Sequence, residues 1–582
     1  MNSITQLKNC NTRVDLALLL KVKPAVLTFT LYKKGPQNNY TSFNIPKKNG
    51  GVRTINAPIG KLKTLQTNLS KLLLDCIDDI NKERGFNSGL AHGFVRERSI
   101  ITNAIMHKNS KNVLNIDLDN FFGSFNFGRV RGFFQKNRNF LLNDEVATTI
   151  AQIACCNNEL PQGSPCSPVI TNLITHSLDI QLLKLANKYS CTYSRYADDI
   201  TFSTRKSKFP PEIMVENNGV YNPSKRLKHE IKRADFKIND KKTRIQYRDS
   251  RQDVTGLIVN KKIGVKKEYR RTTKSMCNSL FHTGSYTKIV NDKHVAGTIN
   301  ELEGRLNFID SIDLYNRINY PEKLSIHYTH RNYGYKTRAL LTGREKTFSK
   351  FLFYKWFFAP SKPTILCEGK TDNIYLKSAI FQLAAHYPKL VKATPFEHLV
   401  NYFSYNKRSR FLLELSGGTS YLAGFISSYS DHYSLYSAPK SGQPIIIILD
   451  NDSGLNDIIS ALAKIDTCTV YPIDKATGNI KEDIKTADFI HVVHNLYIVL
   501  TPLNGKNDSM IENLFNPALW STPIQGRTFD PTEKRTPKNS FYGKNTFATE
   551  VIKRQKATID FSGFHPLFER MTLAITHYEG IR

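Results

Sequence analysis

The 582-residue sequence lacks the cysteine spacing that marks zinc ribbons and disulfide frameworks. Its nine cysteines include no C-x-x-C pair, and only Cys155 and Cys156 are adjacent. This pattern favours a reducing compartment and argues against a small structural zinc site.

The sequence also lacks a secretion signal and a long apolar run. The amino terminus, MNSITQLKNCNTRVDLALLLKVK, has no basic start followed by an apolar segment and a small-residue cleavage site. No stretch approaches the length of a transmembrane helix. We therefore expect a soluble cytoplasmic protein without a membrane partner.

Acidic residues are scarce in the first part of the chain. The formal net charge is +32, and residues 1–350 hold 57 Lys and Arg against 29 Asp and Glu. Residues 351–582 are close to neutral, with a net charge of +4. This asymmetry favours a polyanionic partner such as nucleic acid for the first part. On charge alone, a basic surface that only keeps the protein soluble is the alternative.

The length predicts two to four domains, and a hydrophobic content of 40% is enough to build their cores. Short helices are expected up to about Tyr40, and a β-hairpin in TSFNIPKKNGGVRTINAP. We then expect a helix in LKTLQTNLSKLLLDCIDDI, strands in VLNIDLDNFF and CTYSRYADDITFS, and a helix from Ser167 through Leu185. We expect residues 225–350 to be mostly helical and very basic.

The pattern changes after Pro360 and Pro363, which predict a domain boundary. Strands are expected at TILC, FLLELS, IIIIL and FIHVVHNLYIVL, alternating with helices near 373–385 and 455–464. Apolar strands alternating with helices indicate a small parallel sheet covered on both faces.

Three acids stand out in the first part: Asp117 in NIDLDNFF, and Asp198 and Asp199 in YADD. Carboxylates that converge from a strand end and a hairpin tip suit two divalent metal ions that promote phosphodiester formation. A buried pair without a counter-charge would be costly, which favours a working site. An ordinary solvated turn is the alternative for YADD in isolation.

The segments NIDLDNFF, LPQGSPCSP and YADDITFS together resemble the palm motifs of reverse transcriptases in order and spacing. GGVRTINAP resembles the fingers, and AHGFVRERSIITNA resembles the block before the palm. The resemblance implies an α+β right-hand polymerase with fingers, palm and thumb. It makes Asp117, Asp198 and Asp199 the catalytic ligands of two Mg²⁺ ions.

The resemblance also implies a nucleotide pocket. Arg53, together with Lys47 or Lys48, would contact the triphosphate, and Gln162 would line the pocket. Phe122 matches the aromatic residue that blocks a ribose 2′-hydroxyl, so dNTPs would be preferred. A core aromatic is the alternative for Phe122.

Two further segments narrow the resemblance to retron reverse transcriptases. NAIMH and VTG resemble extra blocks before and after the palm in that family, and the basic stretch after VTG would be the thumb. A solvated basic face is the alternative for that stretch. The nucleic-acid-binding residues implied are Asn103, His107, Val254, Thr255, Gly256, Lys261, Lys262, Lys266 and Lys267.

In the second part, TILCEGKTD ends on Glu368 and IIIILDND ends on Asp450 and Asp452. Parallel strands bind ligands at their carboxyl ends, so these acids could share a divalent metal ion with a phosphate. Gly417 and Gly418 are expected at the intervening strand end. A helix N-terminal acid for Glu368 and an Asx turn for the aspartates are the alternatives.

This second pattern resembles the Toprim fold of topoisomerases, bacterial primases and nucleases associated with overcoming-lysogenization-defect proteins. The resemblance makes Glu368, Asp450 and Asp452 catalytic ligands of one or two Mg²⁺ ions. Glu512 in SMIENLF is a further metal candidate, and Lys544 in YGKN a phosphate or metal-site candidate. An amphipathic helix and a Gly-Lys loop are their alternatives.

The whole chain resembles a retron reverse transcriptase fused to a Toprim domain. We expect the polymerase in residues 1–345 (fingers and palm to about 225, thumb about 226–345). A linker at 346–363 and an α/β Toprim domain with a C-terminal extension at 364–582 follow. The oligomeric state stays open, with a homo-oligomer as one alternative.

The resemblance implies copying of a structured noncoding RNA, which is both template and primer, into a branched RNA–DNA hybrid (msDNA) that stays bound. The Toprim domain would be a nuclease that acts on a nucleic-acid target in anti-phage defence. Alternatives are a Toprim domain that only binds or processes the RNA–DNA product, and a primase- or topoisomerase-like enzyme.

Overall fold

A computed structural model describes residues 2–35, 37–47, 50–85, 90–217, 220–290, 292–320, 337–440, 442–475, 477–532 and 535–582. The chain divides into two compact units, the N-terminal unit of residues 1–267 and the C-terminal unit of residues 268–582. Within the described ranges, no helix has both the length and the apolar character that a membrane span requires.

The N-terminal unit begins with the expected short helices and the expected hairpin. Its helices are α1 (Ser3–Lys8), α2 (Arg13–Leu19), α3 (Pro24–Thr28), α4 (Gly60–Glu83), α5 (Ile100–Met106), α6 (Phe127–Lys136), α7 (Asp144–Ala154), α8 (Ser167–Lys188) and α9 (Lys225–Arg233). Its strands are β1 (Tyr40–Pro46), β2 (Val52–Pro58), β3 (Asn112–Asp119), β4 (Thr192–Tyr196), β5 (Asp199–Thr204), β6 (Met214–Asn217), β7 (Val220–Pro223), β8 (Lys237–Ile238), β9 (Arg244–Tyr247), β10 (Asp253–Val254) and β11 (Leu257–Ile258).

Strand β3 is the centre of the main sheet of this unit. It pairs antiparallel with β5 along one side, and with β9 and then β8 along the other. The register places Asn112 opposite Thr204 and Asp117 opposite Asp199. Apolar residues of β3 and β5 pack into one core with helices α4, α6, α7 and α8. This core holds the carboxyl end of β3 rigidly beside the β4–β5 turn.

In the described part of residues 225–350, short strands accompany the expected helices. Strands β8 and β9 complete the sheet on β3, and β10 and β11 form a hairpin with a two-residue turn. The segments are too short and too polar for the period-2 pattern to be visible, so pairing with β3 decides their structure.

The C-terminal unit contains two long helices and then a second sheet. Its helices are α10 (Lys267–Thr283), α11 (Ile299–Asn319), α12 (Gly343–Phe353), α13 (Asp372–Gln382), α14 (Lys407–Leu413), α15 (Thr419–Ser427), α16 (Tyr429–Tyr433), α17 (Asn456–Leu462), α18 (Ile480–Thr486), α19 (Lys544–Thr546) and α20 (His565–Ile581). Its strands are β12 (Thr287–Val290), β13 (Lys293–Ala296), β14 (Thr364–Cys367), β15 (Val391–Lys392), β16 (Glu397–His398), β17 (Asn401–Tyr402), β18 (Ile445–Leu449), β19 (Thr469–Tyr471), β20 (Phe489–Val493), β21 (Leu496–Leu500), β22 (Thr528–Phe529) and β23 (Phe541–Tyr542).

The large sheet of the C-terminal unit has the order β17-β14-β18-β21-β20-β19. Its first four strands are parallel, and β20 and β19 are antiparallel additions. Successive side chains of β18 point into the two cores on opposite faces of the sheet. Ile445, Ile447 and Leu449 lie in one core, and Ile446 and Ile448 lie in the other. This alternation explains why a run of five apolar residues is buried throughout.

One expected strand of this unit is wrong, and another expected strand is in fact two. FLLELS is the end of helix α14 and its exit, because Asn406 caps the helix and Glu414 then adopts a left-handed conformation with φ of 51°. Gly417 and Gly418 therefore follow a helix, not a strand. FIHVVHNLYIVL is a hairpin, β20 and β21, which turns at His494 with φ of 54°.

The compact C-terminal unit begins well before the expected linker at 346–363. Residues of α10 and α11 share one hydrophobic core with α12 and one face of the large sheet. Phe281 of α10 packs against Tyr354 and Tyr436, with ring centroids 5.9 and 5.5 Å apart. The Tyr436 hydroxyl in turn donates to the Lys350 carbonyl at 2.6 Å.

Candidate active sites

In the N-terminal unit, the sheet brings the three predicted aspartates together. Asp117 lies near the carboxyl end of β3, directly opposite Asp199 at the start of β5. Asp198 occupies the two-residue turn between β4 and β5, and its carbonyl accepts from the Leu118 amide at 3.0 Å. This hydrogen bond therefore joins the turn to β3, the strand that carries Asp117.

A buried ion pair supports this turn from behind. Arg195 of β4 and Asp179 of α8 are both inaccessible to solvent, and both guanidinium–carboxylate hydrogen bonds are 2.7 Å long. Arg195 also donates to the Ala197 carbonyl at 3.0 Å, and Ala197 has φ of 54°. Sequence reasoning missed this pair, because nothing in the sequence alone links Asp179 to Arg195.

Lys242 forms an ion pair with the carboxylate of Asp117. The Lys242 ammonium donates to both oxygens at 2.9 and 3.0 Å. Burial, followed by repulsion from Asp198 and Asp117, raises the pKa of Asp199 to about 6. Burial and Asp117 also raise the pKa of Asp198, and Lys242 and Arg53 oppose that rise. Sequence reasoning counted Lys242 only as one of many thumb cations.

The predicted nucleotide-pocket residues lie on neighbouring segments. The Asn56 amide of β2 donates to the Gln162 carbonyl at 2.8 Å, three residues along the strand from Arg53. Gly163 has φ of +114°, and an added Cβ would lie 2.8 Å from Ile55, so glycine permits this approach. Arg53 is exposed, and its charge lowers the pKa of Asp198.

Phe122 begins a short 3₁₀ turn just after β3 and is half-buried against Phe121, with ring centroids 5.5 Å apart. Its predicted role at the ribose stays a prediction. Lys47 is exposed at the end of β1, and Lys48 lies outside the described residues.

Asn103 and His107 are in the core, which contradicts the expectation that they contact nucleic acid. Both are fully buried. The Ser194 hydroxyl donates to Asn103 Oδ1 at 2.7 Å, so we assign the ring proton of His107 to Nε2, 2.7 Å from Ser194. His107 Nδ1 then accepts from Ser203 at 2.8 Å. Burial lowers the pKa of His107 to about 3, so the ring is neutral.

The VTG segment is the turn of the β10–β11 hairpin. Thr255 and Gly256 have φ of 46° and 83°, and Val254 is fully buried. The Thr255 hydroxyl donates to the Ile100 carbonyl of α5 at 3.3 Å. The two blocks that flank the palm in sequence therefore pack together, and Val254, like Asn103 and His107, cannot contact nucleic acid directly.

The four predicted lysines beyond this turn are more accessible. Lys261, Lys262 and Lys267 are exposed, and Lys266 is half-buried with its ammonium 3.2 Å from Asp253. Their nucleic-acid contacts stay a prediction.

In the C-terminal unit, Glu368 and Asp450 follow adjacent parallel strands. The Glu368 amide donates to the Ile448 carbonyl at 3.0 Å, and the Glu368 carboxylate accepts from the Asp450 amide at 3.2 Å. Asp450 Oδ1 accepts from the Ile511 amide at 2.8 Å, beside Glu512. The strand ends thus bring three of the predicted acids to one place.

Asp452 forms an Asx turn, the local structure that was its alternative interpretation. Its Oδ1 accepts from the Gly454 amide at 2.7 Å. Its charge still contributes to the raised pKa of Glu368, so Asp452 also belongs to the acidic cluster.

Lys544 and Asp372 complete the second site. Glu512 is fully buried, and the Lys544 ammonium lies 3.1 Å from its carboxylate. Asp372, which sequence reasoning missed, is buried at the start of α13 and accepts from the Gly369 amide at 2.7 Å. The signal was present in EGKTD, where Asp372 lies four residues after Glu368.

Crowded carboxylates make this site prone to bind protons or cations. Burial, followed by Asp452 and Asp372, raises the pKa of Glu368 to about 7. Burial, followed by Asp372, raises the pKa of Asp450 well above its ordinary value. Burial opposes but does not cancel the effect of Glu512, so the pKa of Lys544 is raised and the ammonium stays charged.

Gly417 and Gly418 lie against the backbone carbonyl of Glu368. The Gly418 amide donates to the Glu368 carbonyl at 3.1 Å. A Cβ added to Gly417 would lie 2.5 Å from that carbonyl oxygen, closer than any side chain tolerates. Glycine at 417 is therefore required for the loop to seat on Glu368.

The residues fit divalent cations by chemistry rather than by a preformed cage. Hard carboxylate oxygens are the donors that Mg²⁺ prefers. Burial first, and then repulsion between neighbouring carboxylates, raise the pKa values of Asp199 and Glu368. Among the described residues, no three His, Cys, Asp or Glu side chains are placed to hold a metal ion as they stand. The carboxylates would have to rotate toward the ion, and Lys242 would have to leave Asp117.

The family model that matches this chain does so within its first half. The family described as "Reverse transcriptase (RNA-dependent DNA polymerase)" matches residues 45–273. The Retron Mx162 reverse transcriptase of Myxococcus xanthus is 36% identical over 237 residues, which cover 38% of this chain and 47% of that protein. The Retron Mx65 reverse transcriptase of the same organism is 33% identical, over 46% of this chain and 62% of that protein.

The Retron Ec86 reverse transcriptase of Escherichia coli is 31% identical over 49% of this chain and 76% of that protein. The chain spans about half to two thirds of the length of the two Myxococcus relatives. A solved telomerase structure from Candida albicans, with a fragment of telomeric RNA, matches with a TM-score of 0.30 and 11% identity, over 55% of this chain and 64% of that chain.

Proposed function

Because this chain belongs to the retron reverse transcriptase family, we propose that it is an RNA-directed DNA polymerase that copies a structured noncoding RNA into DNA. Asp117, Asp198 and Asp199 are its catalytic residues. The observation that carries the proposal is their convergence from the end of β3 and the β4–β5 turn. Arg53 and Gln162 on neighbouring segments would hold the dNTP.

Two Mg²⁺ ions bound by these aspartates would activate the attacking hydroxyl and neutralise the leaving pyrophosphate. The protein's own contribution is placement. Arg195 and Asp179 fix the turn, and the pairing of β3 with β5 holds Asp117 opposite Asp199, so that the carboxylates together favour a bound cation. We propose that the RNA is both template and primer, that the product is a branched RNA–DNA hybrid, and that it stays bound.

Primer extension with the Asp198→Asn/Asp199→Asn variant tests this proposal. Full-length protein is assayed on poly(rA)–oligo(dT) and dTTP with Mg²⁺. The variant should lose at least about 10³-fold in rate, because both neutralised groups would bind the metal ions. Asp119→Asn, an exposed acid two residues beyond Asp117, is the matched control and should keep its rate. Undiminished incorporation by the double variant would refute the assignment.

The C-terminal unit supports a second function, that of a Toprim-type, Mg²⁺-dependent nuclease. The supporting observation is the cluster of Glu368, Asp450 and Asp452 with Glu512 at the ends of parallel strands, with Asp372 and Lys544 beside it. We further propose that this nuclease is the toxic arm of an anti-phage system, released when the bound hybrid is disturbed.

Glu368→Gln separates the two activities. The variant should extend poly(rA)–oligo(dT) normally, since its change lies outside the polymerase carboxylates. It should lose Mg²⁺-dependent cleavage of labelled DNA and RNA and lose toxicity on expression. If cleavage and toxicity persist, the nuclease assignment is wrong. If wild-type protein cleaves neither substrate but binds the hybrid, the unit only holds the product.

A further inference from the structure

The end of the palm sheet opposite the aspartates contains a basic cavity. Strand β5 runs from Asp199 to Thr204, so its far end is about 17 Å from the catalytic carboxylates at 3.4 Å per residue. A cavity of 580 Å³ opens there. It is lined by Met106, Lys108, Ser110, Ser190, Thr192, Ser203, Thr204, Arg205 and Lys206.

The lining suits an anion. It carries three cationic side chains and five hydroxyl groups, and none of its described lining residues is acidic. Arg205 and Lys206 lie on the segment after β5, and Lys108 lies on the segment after α5. Cations from two separate chain segments therefore face one volume that is larger than a single phosphate group needs.

The cavity wall is fixed by buried polar contacts. Asn112, which is 2% exposed, donates to the Lys206 and Ser207 carbonyls at 2.9 Å each and so holds the basic segment. The Ser110 hydroxyl donates to Ser203 at 3.2 Å, and Ser203 is tied to neutral His107. The Lys206 amide donates to Thr204 Oγ1 at 3.2 Å. Such a wall loses little entropy when a ligand binds.

We propose that this cavity, the rear-palm pocket, binds phosphate groups of an RNA backbone. Arg205, Lys206 and Lys108 supply the charge, and the Ser190 and Thr192 hydroxyls can pair with phosphate or with a ribose 2′-hydroxyl. At this distance from the aspartates the bound segment is not the one being copied. The pocket anchors another part of the same folded RNA. The inference depends on the proposed function only in naming RNA as the source of the phosphates.

The test compares three full-length variants in binding a fluorescein-labelled RNA hairpin by anisotropy over a range of salt concentrations. K108A/R205A/K206A should lose about tenfold in affinity near physiological salt, and its log–log salt slope should fall by about 2. K464A/K481A/K553A removes three exposed lysines of the C-terminal unit and should bind like wild type. The charge-conserving K108R/R205K/K206R should also retain affinity.

Retained affinity in the pocket variant, or an equal loss in the lysine control, would overturn the proposal. Displacement of the hairpin from wild type by inorganic phosphate at matched ionic strength would show a pocket for single anions, which also overturns it. Extension of poly(rA)–oligo(dT) is measured on the same preparations. The pocket variant should retain it, so a failed polymerase assignment is distinguished from a failed pocket.

Discussion

At the residue scale, each carboxylate cluster contains one lysine that partly neutralises it. Lys242 holds Asp117, and Lys544 holds Glu512. Burial raises the pKa values of Asp198, Asp199 and Glu368. Lys242 opposes the rise at the two aspartates and Lys544 opposes it at Glu368. Each lysine therefore helps its cluster to stay ionised for a metal ion.

Lys242→Gln should shift the acidic side of the pH profile of primer extension to higher pH. Removing the ammonium leaves Asp198 and Asp199 with more like-charge repulsion, so their pKa values rise and protons compete longer with Mg²⁺. The measurement is the pH profile of incorporation at subsaturating Mg²⁺. Lys241→Gln removes the adjacent exposed lysine, and its profile should match wild type. A variant profile shifted toward lower pH would contradict this account.

His107→Gln should make the protein less sensitive to acid. The folded pKa of His107 is about 3, below the roughly 6.5 of an unfolded histidine. The unfolded chain therefore binds a proton first, and stability falls by up to about 1.4 kcal/mol per pH unit as pH drops from about 6.5 toward 3. Urea unfolding followed by circular dichroism gives the slope. His229→Gln, at an exposed histidine, should leave it unchanged.

At the element scale, strands and helices with clear periodicity could be predicted from the sequence. The side chains that pair with the site residues from other elements could not. The run IIIIL predicts a buried strand because all five side chains are apolar, and β18 confirms it. FLLELS is equally apolar, but Asn406 and left-handed Glu414 make it a helix end. The role of Lys242 at Asp117 depends on long-range register, which sequence spacing does not encode. Asp372 was overlooked although EGKTD places it four residues after Glu368.

A buried charge network joins α11, α12 and α14 in the C-terminal unit. Glu345, 1% exposed, pairs with Arg317, and its other oxygen accepts from Arg408 at 3.0 Å. Arg408 Nε also donates to Asp310 at 2.7 Å. The helix that precedes the Gly417–Gly418 loop is thus tied to α11 by charge.

Glu345→Ala should destabilise the C-terminal unit by about 3–5 kcal/mol, because it removes the carboxylate paired with buried Arg317 and one of the two carboxylates that Arg408 contacts. Both tryptophans, Trp356 and Trp520, lie in this unit, so fluorescence during urea unfolding reports it. Glu579→Ala breaks an exposed pair with Lys389 and should cost under about 1 kcal/mol. Equal losses in the two variants would argue against the network.

Gly417→Ala should abolish cleavage without removing any catalytic group. The new Cβ would collide with the Glu368 carbonyl, so the loop and the strand end must separate. Gly424→Ala, on α15, places its Cβ in open space and should leave cleavage intact. Both variants should extend poly(rA)–oligo(dT) at the wild-type rate. Full cleavage by the first variant would mean that the glycine contact does not position Glu368.

At the scale of the whole molecule, the helices expected to form the thumb share a hydrophobic core with the large sheet of the C-terminal unit. A chain truncated after Pro360 would keep α10, α11 and α12 but lose the sheet and the Tyr436 side of their core. We expect this truncation to lower soluble yield and primer extension. Full-length Glu368→Gln is the control and should retain both. A truncated chain that is soluble and fully active would show that the shared core is dispensable.

This shared core restricts the mutational routes open to a lineage that carries the gene. On the proposed functions, a frameshift or stop codon in the second half would remove the proposed nuclease and also the sheet against which α10, α11 and α12 pack. Such alleles would lose both proposed activities. Single missense changes at the acids of the second site or at Gly417 would remove only the proposed nuclease. Inactivating alleles of that activity alone should therefore keep full-length reading frames with altered residues at these few codons.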